Sequence, residues 1–508
     1  MSIALTRQAD QPLYLQVVDQ IRAQIEQGEL LPQTRLPASR VLAKQLGVNR
    51  ITVVNAYAEL EAEGLLVSRV GSGTFVADQP SNLAQSTDIP VSRAWADPAP
   101  LRQPWNANQM VAEIARLADQ PGVISFAGGA PASEFLPVNE FRRALNEVLR
   151  RDGPEALQYE QVAGYLPLRE TIAAYLQQQN ISVRARDILI TAGCQQALDM
   201  ALRVLTRSGT GVLLVEDPCY LGLLDLLNAR RITPVGIPVD AQGMRLDWLE
   251  QLIVQHRPQL IYVTPTFHNP TGVTMPLARR QALLEIAGRT GIPILEDTSY
   301  DELRYEGQPQ PTLKSLDKTD IVLHAGGFSK TLAPGIRIGY LTAPPLLHRR
   351  IVANKQTADI FTSPLNQRAL HAYLQGDHFE QHLLRVRQAY RSRRNVMLAA
   401  LGRHFPPEVT WRCPEGGIYI WVEMPTDGPT AIDLYLAAIN YNVAFAVGSV
   451  FSASGSFTNA FRLNFVSQAP EQIEEGIRRL GKAWQELLAR HMPTDTAPFN
   501  QQPAAPIL

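Results

Sequence analysis

The hydrophobic positions of the first 78 residues follow the spacing of short amphipathic helices. In the first of these helices an apolar stripe recurs at helical spacing, at Tyr14, Val17, Val18, Ile21 and Ile25. This stripe predicts a helix that buries one face against the rest of a small domain.

A pair of helices and a hairpin are predicted next. Ser39 is expected to cap a short helix that turns Leu42 and Leu46 inward, and Gly47 marks the turn at its end. A second helix is expected to begin near Arg50 and to bury four apolar side chains, Val53, Ala56, Tyr57 and Leu60. The segment LVSRVGSGTFV then reads as a β-hairpin with a flexible tip at residues 71–73.

The pattern changes twice farther along the chain. Residues 79–105 carry five prolines and no glycine and lack a sustained period, which predicts a semi-extended linker. From about residue 106 to 490, short β-branched runs alternate with amphipathic helical stretches, which predicts a largely parallel α/β sheet. We therefore predict a small domain at 1–78, a linker at 79–105, a large domain at 106–490 and a disordered tail at 491–508.

Composition and charge exclude little. The formal net charge of −1 gives no global signature of nucleic-acid binding, so such a function must rest on a local patch. Cys194, Cys219 and Cys413 have neither metal-ligand nor disulfide spacing and are expected to be free thiols. No signal peptide and no apolar run of about 18 residues is visible, so we predict a cytoplasmic protein that does not enter a membrane.

The start of the second predicted helix carries the first candidate chemistry. Asn49, Arg50, Thr52 and Asn55 project from its N-terminal end, after a glycine turn. Two helices in this arrangement suit reading of the DNA major groove. Between residues 35 and 69 the basic groups are Arg35, Arg40, Lys44, Arg50 and Arg69, whereas the acids Glu59, Glu61 and Glu63 lie at the far end of the helix. Phosphate is therefore favoured at the N-terminal side.

These residues closely resemble the GntR-type winged helix. Its signatures LPxSR, GVxRxTVxxAYxxLExEGLL and GxGTFV are nearly intact here. The resemblance implies that Arg40, Asn49, Arg50, Thr52 and Gly71 contact double-stranded DNA. The alternative is that they are solvated residues of a helical module used only for assembly.

The segment HAGGFSKTLAPGIRIGYL carries the chemistry of the large domain. It places Lys330 in a loop after an apolar strand, with Ser329 beside it and Arg337 seven residues on. A lysine amine can form a Schiff base with an aldehyde cofactor, and a hydroxyl and a guanidinium suit a phosphate dianion. The pattern SKxLxPGxRxGY resembles the lysine motif of fold-type I aminotransferases, whereas the alternative is a plain surface lysine. The resemblance implies pyridoxal 5′-phosphate (PLP) as cofactor and Lys330 as the catalytic residue that binds it.

The same resemblance implies further cofactor contacts. Asp297 of PILEDTSYDEL follows a strand, where its carboxylate would pair with the pyridine nitrogen and keep it protonated. Asn269 of TPTFHNPTG and Tyr300 resemble the pair that hydrogen-bonds the phenolic oxygen. In ILITAGCQQALDMAL, a strand, a glycine turn and a helix start let Cys194 and Gln195 present backbone N–H groups to phosphate.

Four more positions complete the implied site. Tyr220 of EDPCYLGLL resembles the aromatic residue that stacks on the pyridine ring, with a buried core tyrosine as the alternative. Tyr159 resembles the residue that reaches the phosphate from a neighbouring subunit, which implies a homodimer. Arg462 of FRLNFV resembles the arginine that binds a substrate carboxylate, with a surface ion pair as the alternative. Gly129 resembles a residue of the small-residue loop that lies over the amino acid site. Gly327 departs from the family, because many relatives place a serine or threonine there on the phosphate.

Both halves together, about residues 11–485, resemble the MocR group of GntR-type regulators. The resemblance implies a small α+β winged helix-turn-helix followed by an α/β fold-type I PLP-dependent transferase domain, with a mostly parallel sheet and a smaller C-terminal α/β subdomain. It also implies a DNA-binding transcription regulator that senses PLP or an amino acid. The linker is long enough for a head-to-tail, domain-swapped homodimer.

Two other functions remain open from the sequence. A working aminotransferase, converting amino acids to 2-oxo acids, would explain the completeness of the residues around Lys330. A structural scaffold that binds neither ligand is the third hypothesis.

Overall fold

The computed structural model describes Ile3, Leu5 and residues 13–62, 65–69, 73–77 and 120–491. The predicted linker at 79–105, the tail from residue 492 onward and the hairpin tip with Gly71 lie outside the described residues. Its contacts divide the chain into two units, Met1–Arg102 and Gln103–Leu508.

The first unit is a three-helix domain with a hairpin. Its elements are α1 (Leu13–Glu26), α2 (Ser39–Leu46), α3 (Arg50–Ala62), β1 (Leu66–Arg69) and β2 (Gly73–Val76). The hairpin is antiparallel, with Leu66 opposite Val76 and Arg69 opposite Gly73. These elements agree with the hydrophobic pattern, because the stripes predicted to face inward form one apolar core.

The ends of α2 show both a success and an error of sequence reasoning. Gly47 ends the helix in the left-handed conformation, at φ 65°, and its N–H bonds the Ala43 carbonyl. The predicted cap at Ser39 is wrong, since Ala38 occupies the cap position and makes no side-chain bond. Ser39 is instead the first helical residue, and its hydroxyl accepts a bond from Arg50 Nε at 3.5 Å.

The second unit is built on an eight-stranded sheet. Its strands are β4 (Ile188–Thr191), β5 (Val212–Asp217), β6 (Thr233–Asp240), β7 (Gly243–Met244), β8 (Leu260–Val263), β9 (Ile294–Asp297), β10 (Val322–Gly327) and β11 (Gly339–Thr342). Their order is β4-β11-β10-β9-β8-β5-β6-β7. The five strands from β10 to β6 pair in parallel, whereas β11 and β7 are antiparallel to their neighbours.

Helices precede, connect and follow the strands of this sheet. They are α4 (Val138–Asp152), α5 (Leu166–Gln178), α6 (Cys194–Leu205), α7 (Leu221–Ala229), α8 (Leu246–His256), α9 (Leu277–Thr290), α10 (Leu313–Leu316), α11 (Pro345–Ala358) and α12 (Pro364–Leu374). Strands β4, β8 and β9 are buried at every position, as a parallel sheet covered on both faces requires. The predicted mostly parallel α/β architecture is confirmed.

A smaller subdomain follows the long helix α13 (His378–His404). Its four-stranded sheet has the order β12-β13-β16-β15, with β12 (Thr410–Trp411), β13 (Tyr419–Glu423), β15 (Ala446–Val447) and β16 (Ala460–Asn464). A parallel pair joins β14 (Val443–Ala444) to β3 (Ile124–Ser125), and α14 (Ala431–Ile439) and α15 (Pro470–His491) pack beside the strands. No helix among the described residues is long and apolar enough to cross a membrane.

Candidate cofactor site and DNA-binding surface

The carboxyl ends of the central strands surround a cavity of about 170 Å³. Ligands of open α/β sheets bind at this edge. Among its lining residues are all the predicted cofactor contacts except Tyr159: Cys194, Gln195, Tyr220, Asn269, Asp297, Tyr300, Ser329, Lys330 and Arg337. The remaining lining residues are Leu198, Tyr262, Thr264, Ser299, Gly327 and Pro334.

Asp297 is the buried acid of this cavity. It is the last residue of β9, and its carboxylate accepts bonds from Tyr262 Oη at 3.0 Å, Ser299 N at 3.0 Å and Ser299 Oγ at 2.6 Å. The Cys194 thiol also donates to it, at 3.6 Å. These donors hold the carboxylate in place in a site that is 4% exposed, so it presents a fixed negative charge or hydrogen-bond acceptor to the cavity.

Asn269 and Tyr300, predicted as a pair, do meet. Asn269 Nδ2 donates to Tyr300 Oη at 3.3 Å, and both side chains are buried. Asn269 precedes a cis proline, Pro270. The carbonyl oxygen of the same Asn269 amide accepts a bond from Arg462 Nη1 at 2.8 Å, so the pair is joined to the predicted carboxylate-binding arginine.

Arg462 lies on β16 and is held on several sides. Its Nη2 donates to the Ala127 carbonyl at 2.7 Å, and its guanidinium lies 3.9 Å from the ring centroid of Tyr419 and 4.6 Å from that of Phe451. The Nε atom is buried and has no partner among the described residues. The alternative of a surface ion pair is therefore wrong, because Arg462 is 7% exposed and, among the described residues, its guanidinium bonds neutral groups.

Tyr419 is a member of the site that the sequence analysis missed. Tyr300 Oη donates to Tyr419 Oη at 3.5 Å, and a Cβ atom on Gly129 would lie 2.5 Å from that hydroxyl. Burial alone would raise the pKa of Tyr419, but the cations of Arg462 and Lys330 hold this pKa below its usual value. Tyr419 therefore connects the predicted amino-acid loop to the lysine and the arginine.

A glycine turn and the start of α6 form an anion cradle. Gly193 has φ +85° and a Cβ there would lie 2.5 Å from Arg337 Nη2, so only glycine fits this turn. Arg337 Nη2 donates to the Ala192 carbonyl at 2.8 Å, which fixes the guanidinium beside the first N–H groups of α6. Unsatisfied N–H groups at a helix start together with an arginine are suited to phosphate.

The side chains of Gln195 and Tyr220 bond each other. Tyr220 Oη donates to Gln195 Oε1 at 3.0 Å, and Gln195 Nε2 donates to the Gly222 carbonyl at 2.6 Å. Both polar atoms of the Gln195 side chain are thus hydrogen-bonded, so the group with which this residue would bind an anion is its backbone N–H. Burial raises the pKa of Tyr220 above its usual value, so the ring is neutral and its hydroxyl is a donor.

Lys330 lines the cavity, three residues after β10. Its Nζ donates to the Gly129 carbonyl at 2.8 Å, and Ser329 and Gly327 line the cavity beside it. The residues present fit PLP by their chemistry: an amine for its aldehyde, a buried carboxylate for its ring nitrogen, an amide and a phenol for its ring oxygen, and a cationic cradle for its phosphate.

Tyr159 is the predicted cofactor contact that this chain does not bring to the cavity. It is 77% exposed, and its ring packs edge-on against Phe361 at 5.3 Å between centroids. The prediction that it reaches the site of another subunit stays a prediction.

The helical head presents the predicted DNA contacts to solvent. Arg40, Asn49 and Arg50 are exposed and Thr52 is half-buried at the start of α3, whereas Gly71 lies outside the described residues. Asn49 Oδ1 accepts the Ile51 N–H at 3.1 Å, so this side chain caps α3. Tyr57 anchors the same helix, since its hydroxyl donates to the Pro37 carbonyl at 2.8 Å.

Comparison with other proteins identifies both halves. The family model for aminotransferase class I and II matches residues 121–480, and the model for bacterial regulatory proteins of the gntR family matches residues 13–76. The chain is 39% identical over 382 residues to the 2-aminoadipate transaminase of Thermus thermophilus, which spans 75% of this chain and 94% of that protein. It is 31% identical over 509 residues to the probable rhizopine catabolism regulatory protein MocR of Rhizobium meliloti, which spans 99% of both chains.

Solved structures agree with the fold of the larger unit. The α-aminoadipate aminotransferase LysN of Thermus thermophilus, complexed with N-(5′-phosphopyridoxyl)-L-leucine, superposes with a TM-score of 0.69 at 36% identity. The match covers 76% of this chain and 100% of that one. The transaminase of Thermus thermophilus has no counterpart for a quarter of this chain, whereas MocR matches nearly all of it. The chain therefore belongs to the MocR-type transcription regulators, in which a GntR-type winged helix-turn-helix is joined to a PLP-dependent aminotransferase class I and II domain.

Proposed function

We propose that this regulator holds PLP covalently on Lys330 and that an amino acid arriving at the same cavity changes how the head binds DNA. One observation carries the proposal: a single cavity brings Lys330, Asp297, Asn269 and Tyr300 together in a chain that also carries a helix-turn-helix. A scaffold without ligands would not need an amine, a carboxylate, an amide and a phenol around one cavity.

Each side chain has a distinct role in this proposal. PLP supplies an electron-withdrawing ring when it is bound. Lys330 holds the cofactor, Asp297 keeps a proton on the ring nitrogen, and Asn269 with Tyr300 orients the ring oxygen. The cradle at the start of α6, with Ser329 and Arg337, binds the phosphate. Tyr220 packs on the ring, and Gly129 leaves room for the amino acid.

Arg462 would couple the amino acid to its surroundings. Its two Nη atoms are now bonded to Asn269 and to the Ala127 carbonyl, so a ligand carboxylate must share or displace these bonds. Such a ligand therefore interacts differently with an arrangement in which the Ala127 carbonyl keeps its bond to Arg462 and with one in which this bond is broken. A difference of this kind is what a ligand needs to shift a conformational equilibrium that affects DNA binding.

The contacts of the head are proposed to be Arg40, Asn49, Arg50, Thr52 and Gly71. The exposure of the first three and the position of Thr52 at the start of α3 support this proposal. We further propose a cytoplasmic homodimer in which Tyr159 reaches the partner's phosphate cradle and each head packs on the other subunit's large domain.

An electrophoretic mobility shift with the DNA upstream of the protein's own gene tests the function. We expect specific retardation by wild type that changes when PLP and an amino acid are added together. Arg50→Ala should abolish retardation, and Lys330→Ala should keep retardation but lose its response to the ligands. An absence of specific retardation under every condition would overturn the regulatory proposal.

Transaminase turnover is a second candidate function. The buried Arg462 supports it, because this residue suits an amino acid carboxylate that a sensor of PLP alone would not need. Incubation of a catalytic amount of protein with an amino acid panel and 2-oxoglutarate should then give many equivalents of new 2-oxo acid. Product limited to one equivalent per protein would rule out turnover and leave sensing.

A further inference from the structure

Two branched apolar side chains lie exposed on α3, the helix that begins at the proposed DNA contact Arg50. Ile51 is 58% exposed and Val54 is 37% exposed, and neither belongs to the apolar core formed by the described residues of the head. Residues three positions apart on a helix are neighbours on one face, so these two side chains form one apolar patch. Asn55, also exposed, lies four positions after Ile51 on the same face.

The fold of the head does not account for this patch. The opposite face of α3 already supplies the core contacts of the helix, through Val53, Ala56, Tyr57 and Leu60. A branched side chain is also a poor choice for an exposed helical position, because the helix restricts its χ1 angle. One exposed apolar residue would be ordinary, but two neighbours on the solvent face of one short helix indicate a surface that binds something.

The charged groups near the patch are cations. Arg50 Nε donates to Ser39 Oγ at 3.5 Å, which places the guanidinium at the start of α2, where Arg40 is exposed as well. Neither α2 nor α3 has an acid in its first turn, and the described acids of α3, Glu59 and Glu61, lie in its second half. A partner of this surface must therefore offer negative charge and an apolar group together.

Duplex DNA offers this combination. Its phosphates are negative, and the apolar group that its base pairs present in the major groove is the 5-methyl group of thymine. The first residues of a recognition helix are the ones that reach base edges, and Ile51 is the second residue of α3. Val54 lies about 4.5 Å farther along the helix axis, close to the roughly 3.4 Å spacing of base pairs, so the patch suits methyl groups on successive base pairs.

We propose that Ile51 and Val54 select thymine in the DNA site of this regulator by contact with its 5-methyl group. The inference rests on the proposed DNA-binding function and deepens it, because it assigns part of the base selection to two apolar side chains beside the polar contacts. Burial of one methyl group changes a dissociation constant roughly fourfold, so each contacted thymine should be preferred over uracil by that factor.

Uracil interference on the DNA upstream of the protein's own gene tests the contact. Uracil pairs as thymine does and keeps the O4 acceptor, but it lacks the methyl group. A fragment with occasional uracils in place of thymine is incubated with the full-length protein, and the retarded and free fractions are separated and cleaved at uracil. We expect uracil to be depleted from the retarded fraction at a few specific positions.

Two alanine variants assign these positions to the patch. Because both side chains are exposed and alanine is the better helix former, Ile51→Ala and Val54→Ala should fold as wild type does. Each variant should lose interference at its own thymine and keep the interference that belongs to the other. On a duplex with one uracil at such a position, wild type should bind roughly fourfold more weakly than on thymine, whereas the matching variant should bind both duplexes equally.

Ile51→Val and Leu31→Ala are the matched controls. Valine keeps two methyl groups at position 51, so the interference should remain. Leu31 is 64% exposed in the same head but lies outside α3, two residues before Gln33, whose N–H bonds the Val76 carbonyl at the end of β2. Leu31→Ala should therefore bind DNA and discriminate against uracil as wild type does.

The outcomes separate this inference from the function on which it rests. If no fragment is retarded, DNA binding fails and thymine selection fails with it. Retardation without uracil interference at any position would overturn thymine selection alone. The same interference pattern in wild type and both alanine variants would overturn the role of Ile51 and Val54, since the methyl groups would then act through the shape of the DNA.

Discussion

Gly327 and Gly339 are opposite residues of neighbouring strands, yet they tolerate side chains very differently. A Cβ on Gly327 would lie 3.5 Å from Gly339 Cα and 3.6 Å from Cys194 N, which is ordinary contact. A Cβ on Gly339 would lie 2.6 Å from the Gly193 carbonyl carbon and 2.7 Å from Cys194 N. The departure from the family at Gly327 is therefore not forced by space.

We predict that Gly327→Ser binds PLP more tightly than wild type. The new hydroxyl would lie beside the start of α6 and add one hydrogen bond to the phosphate, worth about 0.5–1.5 kcal/mol or roughly a two- to tenfold lower dissociation constant. Gly339→Ser is the matched control and should lose cofactor affinity because it displaces the cradle. Titration of apoprotein with PLP measures both, and unchanged or weaker binding by Gly327→Ser would contradict the placement of the phosphate.

A buried carboxyl and imidazole give a pH dependence to the large unit. Glu216 Oε2 lies 3.3 Å from His268 Nε2, and both side chains are almost fully buried. Burial raises the pKa of Glu216 from 4.5 to about 8 and lowers the pKa of His268 from 6.5 to about 3. Both groups are therefore neutral near pH 6, with Glu216 bound to a proton that the unfolded chain has already released.

The sign of the effect follows from this proton. Between about pH 4.5 and 8 the folded protein binds more protons at Glu216 than the unfolded chain, so the free energy of unfolding contributed by Glu216 falls as the pH rises. We predict that, between pH 6 and pH 8, the thermal midpoint of wild type falls relative to that of Glu216→Gln, in which a neutral amide replaces the titrating carboxyl. An equal fall in both proteins would contradict a neutral Glu216.

Single residues mark where sequence reasoning stopped. Asp297, Lys330 and Arg462 were predicted because each stands in a dense motif. Tyr262 and Tyr419 were missed, although Tyr262 donates to Asp297 and Tyr419 lies under Arg462. A tyrosine in an apolar strand such as LIYV or YIWVE has the sequence signature of a buried core residue. Only the pairing of β8 with β9, and of β13 with β16, shows that the two hydroxyls belong to the site. The one available signal in the sequence was the polar hydroxyl of Tyr262 near the carboxyl end of β8, where a ligand site is expected.

At the scale of elements, the cradle depends on the turn between β4 and α6. The conformation at Gly193, with φ 85° and ψ 167°, is one that glycine alone adopts readily and that costs a residue with a side chain roughly 1–3 kcal/mol. The sequence predicted this strand, turn and helix in the correct order because a glycine between an apolar run and an amphipathic run has few other uses. The sequence could not reveal that Arg337 packs against that glycine from a loop 144 positions later.

We predict that Gly193→Ala binds PLP at least tenfold more weakly than wild type and melts at a lower temperature. The new methyl group meets both an unfavourable φ and the Arg337 guanidinium. Gly288→Ala, on the exposed side of α9 where a Cβ meets nothing within 4 Å, is the control and should be neutral or slightly stabilising. Cofactor titration and thermal unfolding report both effects, and normal binding by Gly193→Ala would place the phosphate elsewhere.

Element boundaries were predicted less well than element types. The helices of the head and the hairpin follow their apolar periods, but the start of α2 was misassigned to a Ser39 cap. A serine offers the same sequence signal at the cap and at the first helical position. Asn49, treated only as a DNA contact, is the side chain that caps a helix here.

At the scale of the molecule, the exposed apolar residues suggest where a second copy binds. Within the segment 149–166, Leu149, Leu157, Tyr159 and Leu166 are all exposed, and Leu157 has 69% of its surface accessible. Large apolar side chains clustered in one stretch are typical of a protein interface. Tyr159 belongs to this segment, and in the proposed dimer it extends from here to the partner's phosphate cradle.

We predict that wild type sediments as a dimer and that Leu157→Asp sediments as a monomer with weaker PLP binding. A carboxylate buried at the interface would lack a partner, which costs more than the interface gains from one leucine. Val254→Asp is the control, because Val254 is 79% exposed on α8, outside the segment 149–166, and should leave the dimer intact. Sedimentation velocity distinguishes these outcomes, and a dimeric Leu157→Asp would move the interface elsewhere.

The covalent role of Lys330 is the claim on which the proposed function rests, and it has a direct chemical test. Holoprotein reduced with borohydride and digested should yield one peptide with the added mass of the pyridoxyl phosphate group, on Lys330 of the segment GGFSKTLAPG. Lys330→Ala treated in the same way should yield no labelled peptide. A label on a different lysine of the wild-type protein, or no label on a protein saturated with PLP, would contradict the account.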